Sequence, residues 1–107
     1  FAIVAPKTGP ADGYLWQYRL VASQAGLQAV FVRRFGAFDR TPREAELGEI
    51  EAVAVDDARG YLYYSDEWAA IRKYHADPAH PEAARELATF GRDGYLGDRE
   101  GLAVITG

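Results

Sequence analysis

The sequence of 107 residues contains neither cysteine nor methionine. Without cysteine there can be no disulfide framework, no thiolate metal site and no thiol nucleophile. Without methionine there is no initiator residue, and the chain opens inside one apolar run, Phe1-Ala-Ile-Val-Ala, and stops just after another, Leu102-Ala-Val-Ile. We therefore expect these residues to be a piece of a longer protein.

Long apolar runs and an excess of basic residues are also missing. No run approaches the roughly 20 residues that a membrane-spanning helix needs, and no signal-peptide pattern is present. Acidic residues outnumber basic residues by 16 to 12, which argues against a broad nucleic-acid surface and is compatible with an acidic site for a divalent cation. The sequence contains no Gly-rich phosphate loop, dinucleotide fingerprint or nucleophile elbow.

A short phrase of the sequence occurs twice. Glu51-Ala-Val-Ala-Val returns as Glu100-Gly-Leu-Ala-Val, 49 residues later (100 − 51). Repeats of roughly 40–50 residues are typical of propeller blades. A weaker similarity relates Leu15-Trp-Gln-Tyr to Ile71-Arg-Lys-Tyr. The spacing predicts the end of one blade at about 1–47, a whole blade at about 48–97 and the start of a third at about 98–107.

The segments between these phrases predict short strands separated by turns. Aromatic and β-branched runs predict strands at 1–5, 14–21, 27–35, 50–55, 61–65 and 69–74. Asp56 and Gly60 bound a predicted hairpin loop, since Asp bonds its own backbone and Gly supplies a positive φ. Residues 81–90 predict one short helix in a connecting loop, with Pro81 at its first position and Gly91 at its end. The expected fold is all-β, built from antiparallel four-stranded blades.

Carboxylates at predicted strand ends are the candidate metal ligands, namely Glu51, Glu67, Asp98 and Glu100. Calcium takes six to eight oxygen ligands from several segments, and the inner strand ends of neighbouring blades converge on a propeller axis. The alternative is that each carboxylate is a solvated loop residue. Ordinary roles are expected for Asp56 and Asp57 in the hairpin turn and for His75 and His80 in a loop. The tyrosines and tryptophans are expected to pack between blades.

Several motifs together resemble the β-propeller phytases, six-bladed calcium-dependent phosphatases that act on inositol hexakisphosphate. The resemblance is carried, in order, by Lys7-Thr-Gly, by the segment from Glu51 to Tyr74, and by Asp98-Arg-Glu-Gly-Leu. It implies that the chain is a portion of a six-bladed β-propeller from a secreted or periplasmic 3-phytase-like enzyme. The implied substrate is phytate or its calcium complex, with no nucleic-acid or membrane partner, and the full propeller is expected to be a monomer.

The resemblance also implies roles for individual residues. Glu51, Glu67 and Glu100 match calcium-ligand carboxylates, Asp98 is a companion, and Lys7 matches a residue that binds a substrate phosphate. No side chain is implied as the nucleophile, since calcium would neutralise the phosphate oxygens and activate a water for in-line attack. With the other blades missing, the 107 residues alone are not expected to be active.

Two departures from the family pattern leave alternatives open. Ala52 stands where the family usually has Gly, and Trp68 stands where an acidic residue is common. One alternative is another metal-dependent six-bladed propeller hydrolase, such as a lactonase, which has no need of a phosphate-binding lysine. The other is a non-catalytic propeller that serves as a binding scaffold.

Overall fold

The computed structural model describes residues 1–5, 13–37, 52–66 and 70–90. These residues form two antiparallel sheets, which confirms the all-β prediction. The strands are β1 (Ala2–Val4), β2 (Leu15–Ser23), β3 (Gly26–Phe35), β4 (Val53–Asp56), β5 (Tyr61–Asp66), β6 (Ala70–His75) and β7 (Ala88–Phe90). Over the described ranges, none of the secondary structure is a helix with the length and hydrophobicity to span a bilayer.

The first sheet is a long hairpin with a short strand at one side, in the order β1-β2-β3. Ser23 pairs with Gly26, so the hairpin loop has two residues, and the Ser23 hydroxyl accepts a hydrogen bond from the Ala25 N–H at 3.2 Å. The register shifts by one residue between Gln17 and Tyr18, which is a β-bulge. Because β1 pairs only with residues 16–18, the outer half of the hairpin extends beyond it.

The second sheet is a meander in which β4, β5, β6 and β7 pair in chain order. The predicted turn between β4 and β5 is confirmed. The Gly60 N–H donates to the Asp56 carbonyl at 2.8 Å, and the Arg59 N–H donates to the Asp56 carboxylate at 3.2 Å. Gly60 has a φ of +75°, the left-handed conformation that favours glycine.

The predicted helix at residues 81–90 is wrong. Residues 81–84 form turns closed by three-residue hydrogen bonds, such as Arg85 N–H to the Glu82 carbonyl at 3.0 Å, and Ala88–Phe90 is strand β7. The Leu87 N–H donates to the Lys73 carbonyl at 2.8 Å, at the start of the pairing with β6. Pairing with β6 satisfies backbone groups along its edge, and this tertiary gain outweighs the local helix propensity of the sequence.

The two sheets pack against each other through an aromatic core. Its buried members are Tyr14, Leu15 and Phe35 from the first sheet region and Leu62, Tyr64 and Tyr74 from the second. The Phe35 and Tyr74 rings meet edge to face with centroids 5.5 Å apart. Edge-to-face aromatic contacts add about 0.5–1.5 kcal/mol beyond the area that they bury. Contact between the sheets is therefore a main source of stability for the described part of the chain.

The weaker sequence similarity does not correspond to equivalent positions. In β2 the buried residues are Leu15 and Gln17, the first and third of the phrase, whereas in β6 they are Arg72 and Tyr74, the second and fourth. Side chains alternate between the faces of a strand, so the two phrases turn opposite positions toward the core.

Candidate functional site

All five sequence-predicted site residues, Lys7, Glu51, Glu67, Asp98 and Glu100, lie outside the described residues. The structure does describe the chain on one side of Glu51 and of Glu67. The site can therefore be built up only from those neighbours and from the side chains around them.

Three strand ends come together at one end of the second sheet. The chain enters β4 from Ala52, whose carbonyl accepts a hydrogen bond from the Ser65 N–H at 3.0 Å. β5 ends at Asp66, which pairs with Ala70, the first residue of β6. Ala52, Ser65, Asp66 and Ala70 are all buried. This end of the sheet is closely packed by small residues and one carboxylate.

The acidic positions in the sequence adjoin this same sheet end. Glu51 directly precedes Ala52, and Glu67 directly follows Asp66. Antiparallel pairing of β4 with β5 is the reason that their start and end are neighbours. The pairing of β4 with β5 therefore places Ala52, which follows Glu51, and Asp66, which precedes Glu67, at the same end of the sheet.

An arginine between two carboxylates is the main polar feature beside this sheet end. Arg72 donates from both Nε and Nη2 to Asp66 Oδ2 at 3.0 Å, and from Nη1 to Glu86 Oε1 at 2.9 Å. Asp66 is fully buried, Arg72 is 6% exposed, and Glu86 is half-buried. The arginine thus compensates two carboxylates that would otherwise be costly to bury.

The protonation state of this cluster follows from its contacts. Burial opposes the charge on Arg72, but the hydrogen bond to Glu86 and the attraction of Asp66 outweigh it and raise the pKa of Arg72. Arg72 therefore stays charged, and it holds the end of β5 against β6 and the segment before β7.

Two tyrosines cover the inner side of this cluster. Tyr64 donates from its hydroxyl to the Ala37 carbonyl, and the Ala37 N–H donates to the Tyr74 hydroxyl at 3.0 Å. Burial is the largest cause of the raised pKa of both Tyr64 and Tyr74. Both phenols therefore stay neutral at physiological pH. They anchor the chain after β3 and are unsuited to act as bases.

Arg33 links the two sheets through carbonyl groups. It donates to the carbonyls of Ala83 at 2.7 Å and His75 at 2.8 Å, and to Gln17 Oε1 at 2.6 Å. Gln17 in turn donates to the Ala76 carbonyl at 2.9 Å. Burial lowers the pKa of Arg33, and the charge of Asp77 partly offsets this effect. The guanidinium is occupied by structural acceptors and is not presented to a ligand.

A cleft of about 330 Å³ lies where β1 approaches β4 and β5. It is lined by Phe1, Ile3, Gln17, Val55, Asp57, Leu62 and Ala76. Among the described residues that line it, Asp57 has the only ionisable side chain, and the Gln17 amide is already engaged in the hydrogen bonds described above. The described lining is mostly apolar with one carboxylate and offers no cation to a phosphate group, so we do not assign this cleft to a phosphorylated substrate.

Metal-ligand geometry is absent from the part of the chain that the structure describes. No group of three or more His, Asp or Glu side chains in these ranges could hold a metal ion. His75 and His80 stack with ring centroids 3.6 Å apart, and His80 Nδ1 accepts a hydrogen bond from the Glu82 N–H at 3.0 Å. His80 lies in the loop after β6, as expected, whereas His75 is the last residue of β6 and pairs with Tyr61, so its expected place in a loop is wrong. Their stacking holds this loop against the end of the strand.

Sequence reasoning missed Arg33 and Arg72, the two arginines that organise this region. The sequence contains a signal for Arg72. Side chains alternate along a strand, so Arg72 shares one face of β6 with Ala70 and Tyr74, and that face is buried. An arginine at an inward position needs a buried partner, and Asp66 lies 6 residues earlier in the sequence.

Comparison with known proteins gives no assignment. No protein-family model, curated protein or solved structure matches the sequence.

Proposed function

We propose that the chain is part of a six-bladed β-propeller phosphomonoesterase that releases phosphate from phytate with the help of calcium. The observation that supports this most directly is the shared sheet end of β4 and β5. Ala52 and Asp66 lie there, and the sequence continues from them to Glu51 and Glu67. In this proposal Glu51 and Glu67 would supply two of the oxygen ligands that calcium takes from several segments.

The pairing of the second sheet supports the blade interpretation. Four consecutive strands pair in chain order and form one antiparallel meander, which is the form of a propeller blade. The first sheet adds three strands in the same manner. In the proposed propeller, a sheet of this type would be one blade, with a neighbouring blade packed against each of its two faces.

Charge near the sheet end favours the predicted carboxylates as ligands. Arg72 already neutralises Asp66 and Glu86. The charge that attracts a cation in this proposal is therefore that of Glu51 and Glu67, with Asp98 and Glu100 supplied by the following segment. Carboxylate oxygens are the donors that calcium prefers.

The remaining roles follow from charge. Lys7 would place a compact positive charge against a substrate phosphate. When bound, calcium would neutralise phosphate oxygens and activate a water for attack at phosphorus. The residues of this chain would hold and orient the substrate, and positioning with charge stabilisation accounts for most of the catalysis of phosphoryl transfer.

The test is phosphate release from phytate by the full-length protein that contains this chain. We expect turnover to need calcium, to stop with chelator, and to fall by at least about tenfold in Glu51→Gln. The matched control is Glu82→Gln, an exposed carboxylate paired with Arg85, which should leave turnover unchanged. Equal turnover with calcium, with chelator and in Glu51→Gln would contradict the proposal.

A second measurement separates the rival hydrolase. Lys7→Ala should weaken the binding of phosphate-bearing substrate in a phosphatase. Unchanged phosphate affinity in this variant would favour an esterase that does not act on phosphate, such as a lactonase.

A further inference from the structure

The cleft between β1 and the strands β4 and β5 has a buried floor and an open mouth. Leu62 and Gln17 form the floor, with exposed fractions of 0% and 1%. Phe1 and Val55 at the mouth are 61% and 41% exposed, and Asp57 is exposed beside them. The volume of about 330 Å³ is within the range of small-molecule sites, which are concave and mostly apolar with few polar groups. The cleft thus has the size and shape to hold one small molecule.

The lining of the cleft combines apolar side chains with a carboxylate that the fold does not use. Ile3 and Ala76 complete the apolar walls, and both are half-buried. The turn between β4 and β5 is closed by the neighbouring carboxylate of Asp56, which pairs with the Arg59 guanidinium at 3.3 Å. In the part of the chain that the structure describes, the Asp57 carboxylate has neither a hydrogen bond nor an ion pair. This carboxylate is therefore available to a ligand.

Gln17 lies between the cleft and Arg33, which is not part of the described lining. Gln17 Oε1 accepts a hydrogen bond from Arg33 Nε at 2.6 Å, and the other Arg33 nitrogens donate to backbone carbonyls. The positive charge of Arg33 is thus behind the floor, whereas the negative charge of Asp57 is at the mouth. A ligand with its positive end at Asp57 and its apolar end at Leu62 is attracted by the carboxylate and keeps its charge away from the guanidinium.

Other classes of ligand fit this lining less well. Calcium takes six to eight oxygen ligands, and the described lining supplies a single carboxylate. An anion would be repelled by Asp57 with no cation in the described lining to offset the repulsion. A neutral apolar molecule would remove water from the carboxylate without pairing it, which costs free energy. A cation with an apolar body pairs the carboxylate and also covers the apolar walls.

We propose that this cleft binds a small organic cation, with a primary ammonium group at Asp57 and a compact apolar body against Leu62. The ammonium donates hydrogen bonds to the carboxylate, and the apolar walls remove the body of the ligand from water. Leu62 and Asp66 are four residues apart in β5, which is roughly 13 Å along an extended strand. The cleft is therefore separate from the sheet end beside Glu51 and Glu67, and the inference does not depend on the proposed function.

Titration of the full-length protein with benzylammonium tests the proposal. The titration is followed by NMR through the methyl groups of Ile3, Val55 and Leu62, which line the cleft. We expect saturable shifts of these signals and an affinity at least about twofold higher than that of benzyl alcohol, the neutral analogue, because only the cation pairs with Asp57. Shifts that do not saturate, or equal affinities for the two probes, would overturn the proposal.

Asp57→Asn tests the carboxylate, because asparagine keeps the size of the side chain and removes its charge. The affinity for benzylammonium should fall by at least about twofold, to that of benzyl alcohol, and the affinity for benzyl alcohol should stay the same. The control is Glu82→Gln, an exposed carboxylate that pairs with Arg85 and does not line the cleft. It should leave both affinities unchanged. An equal loss in the two variants would contradict the role of Asp57.

Ala76→Leu and Val55→Trp test the location of the site. Each adds apolar bulk to the lining, so each should weaken the binding of both probes by at least about tenfold, because the ring of the probe can no longer be buried. Val55 is exposed, so Val55→Trp supplies the measurement if circular dichroism shows that Ala76→Leu fails to fold. Unchanged binding in a folded variant would overturn the placement in the cleft.

Phosphate release by the same variants separates this inference from the proposed function. Asp57→Asn should leave calcium-dependent release of phosphate unchanged, because the cleft and the sheet end are different sites. Binding of benzylammonium without phosphatase activity would leave this inference standing and remove the proposed function, and the converse result would do the opposite.

Discussion

Among single residues, Arg72 has the most demanding environment in the described part of the chain. It is 6% exposed and is held by the carboxylates of Asp66 and Glu86 at 2.9–3.0 Å. Removing one partner of a buried ion pair leaves the charge of the other buried without it. The resulting loss of stability is much larger than the net stabilisation that the intact pair provides. The stability of the sheet end beside Glu51 and Glu67 should therefore depend on this residue.

Arg72→Met should lower the free energy of unfolding by about 3–5 kcal/mol, because Asp66 would remain buried without its cation. Urea denaturation measures the change. Arg85→Met is the control, since Arg85 and Glu82 form an exposed pair of side chains with 67% and 50% exposure, and it should change the free energy by less than about 0.5 kcal/mol. Similar effects of the two substitutions would contradict the importance assigned to Arg72.

The buried tyrosines predict how stability depends on pH. Tyrosine in an unfolded chain ionises at about pH 10, whereas burial raises the pKa of Tyr64 and Tyr74 in the folded chain. Their contribution is therefore fully present below about pH 10. As the pH rises further the unfolded chain loses these protons first, so the free energy of unfolding should fall by about 1.4 kcal/mol per pH unit for each tyrosine.

Denaturation at a series of alkaline pH values measures this slope. The variant with both Tyr64→Phe and Tyr74→Phe is the control, and its slope should be smaller by the amount that the two tyrosines contribute. An unchanged slope would show that the phenols ionise equally in the folded and unfolded chains.

Individual contacts of this kind were only partly predictable from the sequence. The turn role of Asp56 followed from local chemistry, since the carboxylate bonds a backbone N–H three residues later, and the structure confirms it. The ion pair of Asp66 with Arg72 depends on the register of β5 with β6, and the contacts of Arg33 depend on how the two sheets pack. Neither register nor packing is visible in a local pattern of residues.

At the level of secondary structure, the backbone conformation directly after β3 requires a glycine at position 36. Gly36 has a φ of +100°, and a Cβ atom there would lie 2.9 Å from the Tyr64 hydroxyl. The close approach is set by the hydrogen bonds that Tyr64 and Tyr74 make to Ala37. The end of β3 is thereby fixed to the second sheet.

Gly36→Ala should lower the free energy of unfolding by about 2–4 kcal/mol, since it adds a steric conflict to the backbone strain of a positive φ. Gly60→Ala is the matched control, because Gly60 also has a positive φ but a Cβ atom there would meet nothing within 4 Å. It should lower the free energy by about 1 kcal/mol. Thermal or urea denaturation compares the two, and an equal loss would show that the contact with Tyr64 is unimportant.

The strands were predicted more successfully than the segment after β6. Apolar alternation and turn residues indicated β1 to β6 within a few positions, because both are local properties of the sequence. Residues 81–90 have helix-forming composition but end in β7, since the edge of β6 offers backbone partners. Competition between local propensity and a non-local sheet edge cannot be read from the segment alone.

At the scale of the whole molecule, aromatic side chains lie on both faces of the two sheets, with Phe35 and Tyr74 in the core between them and Phe31 and Phe90 on the faces turned away from it. This arrangement accounts for the core that joins them and for the proposal that further sheets pack on either side. In the sequence, packing of sheet against sheet was suggested only by the repeated phrase that begins at Glu51 and again at Glu100. Both glutamates lie outside the described residues. The all-β fold class could thus be predicted from alternation, whereas the proposed ring would depend on contacts between sheets.

The cation site is the central claim at this scale, and calcium titration of the full-length protein tests it most directly. Calorimetry should show heat of binding at millimolar calcium or below, with a higher melting temperature because calcium binds the folded state. Glu51→Gln should reduce both effects, whereas the exposed-carboxylate control Glu82→Gln should leave both unchanged. No heat and no shift in melting temperature at millimolar calcium would contradict the account.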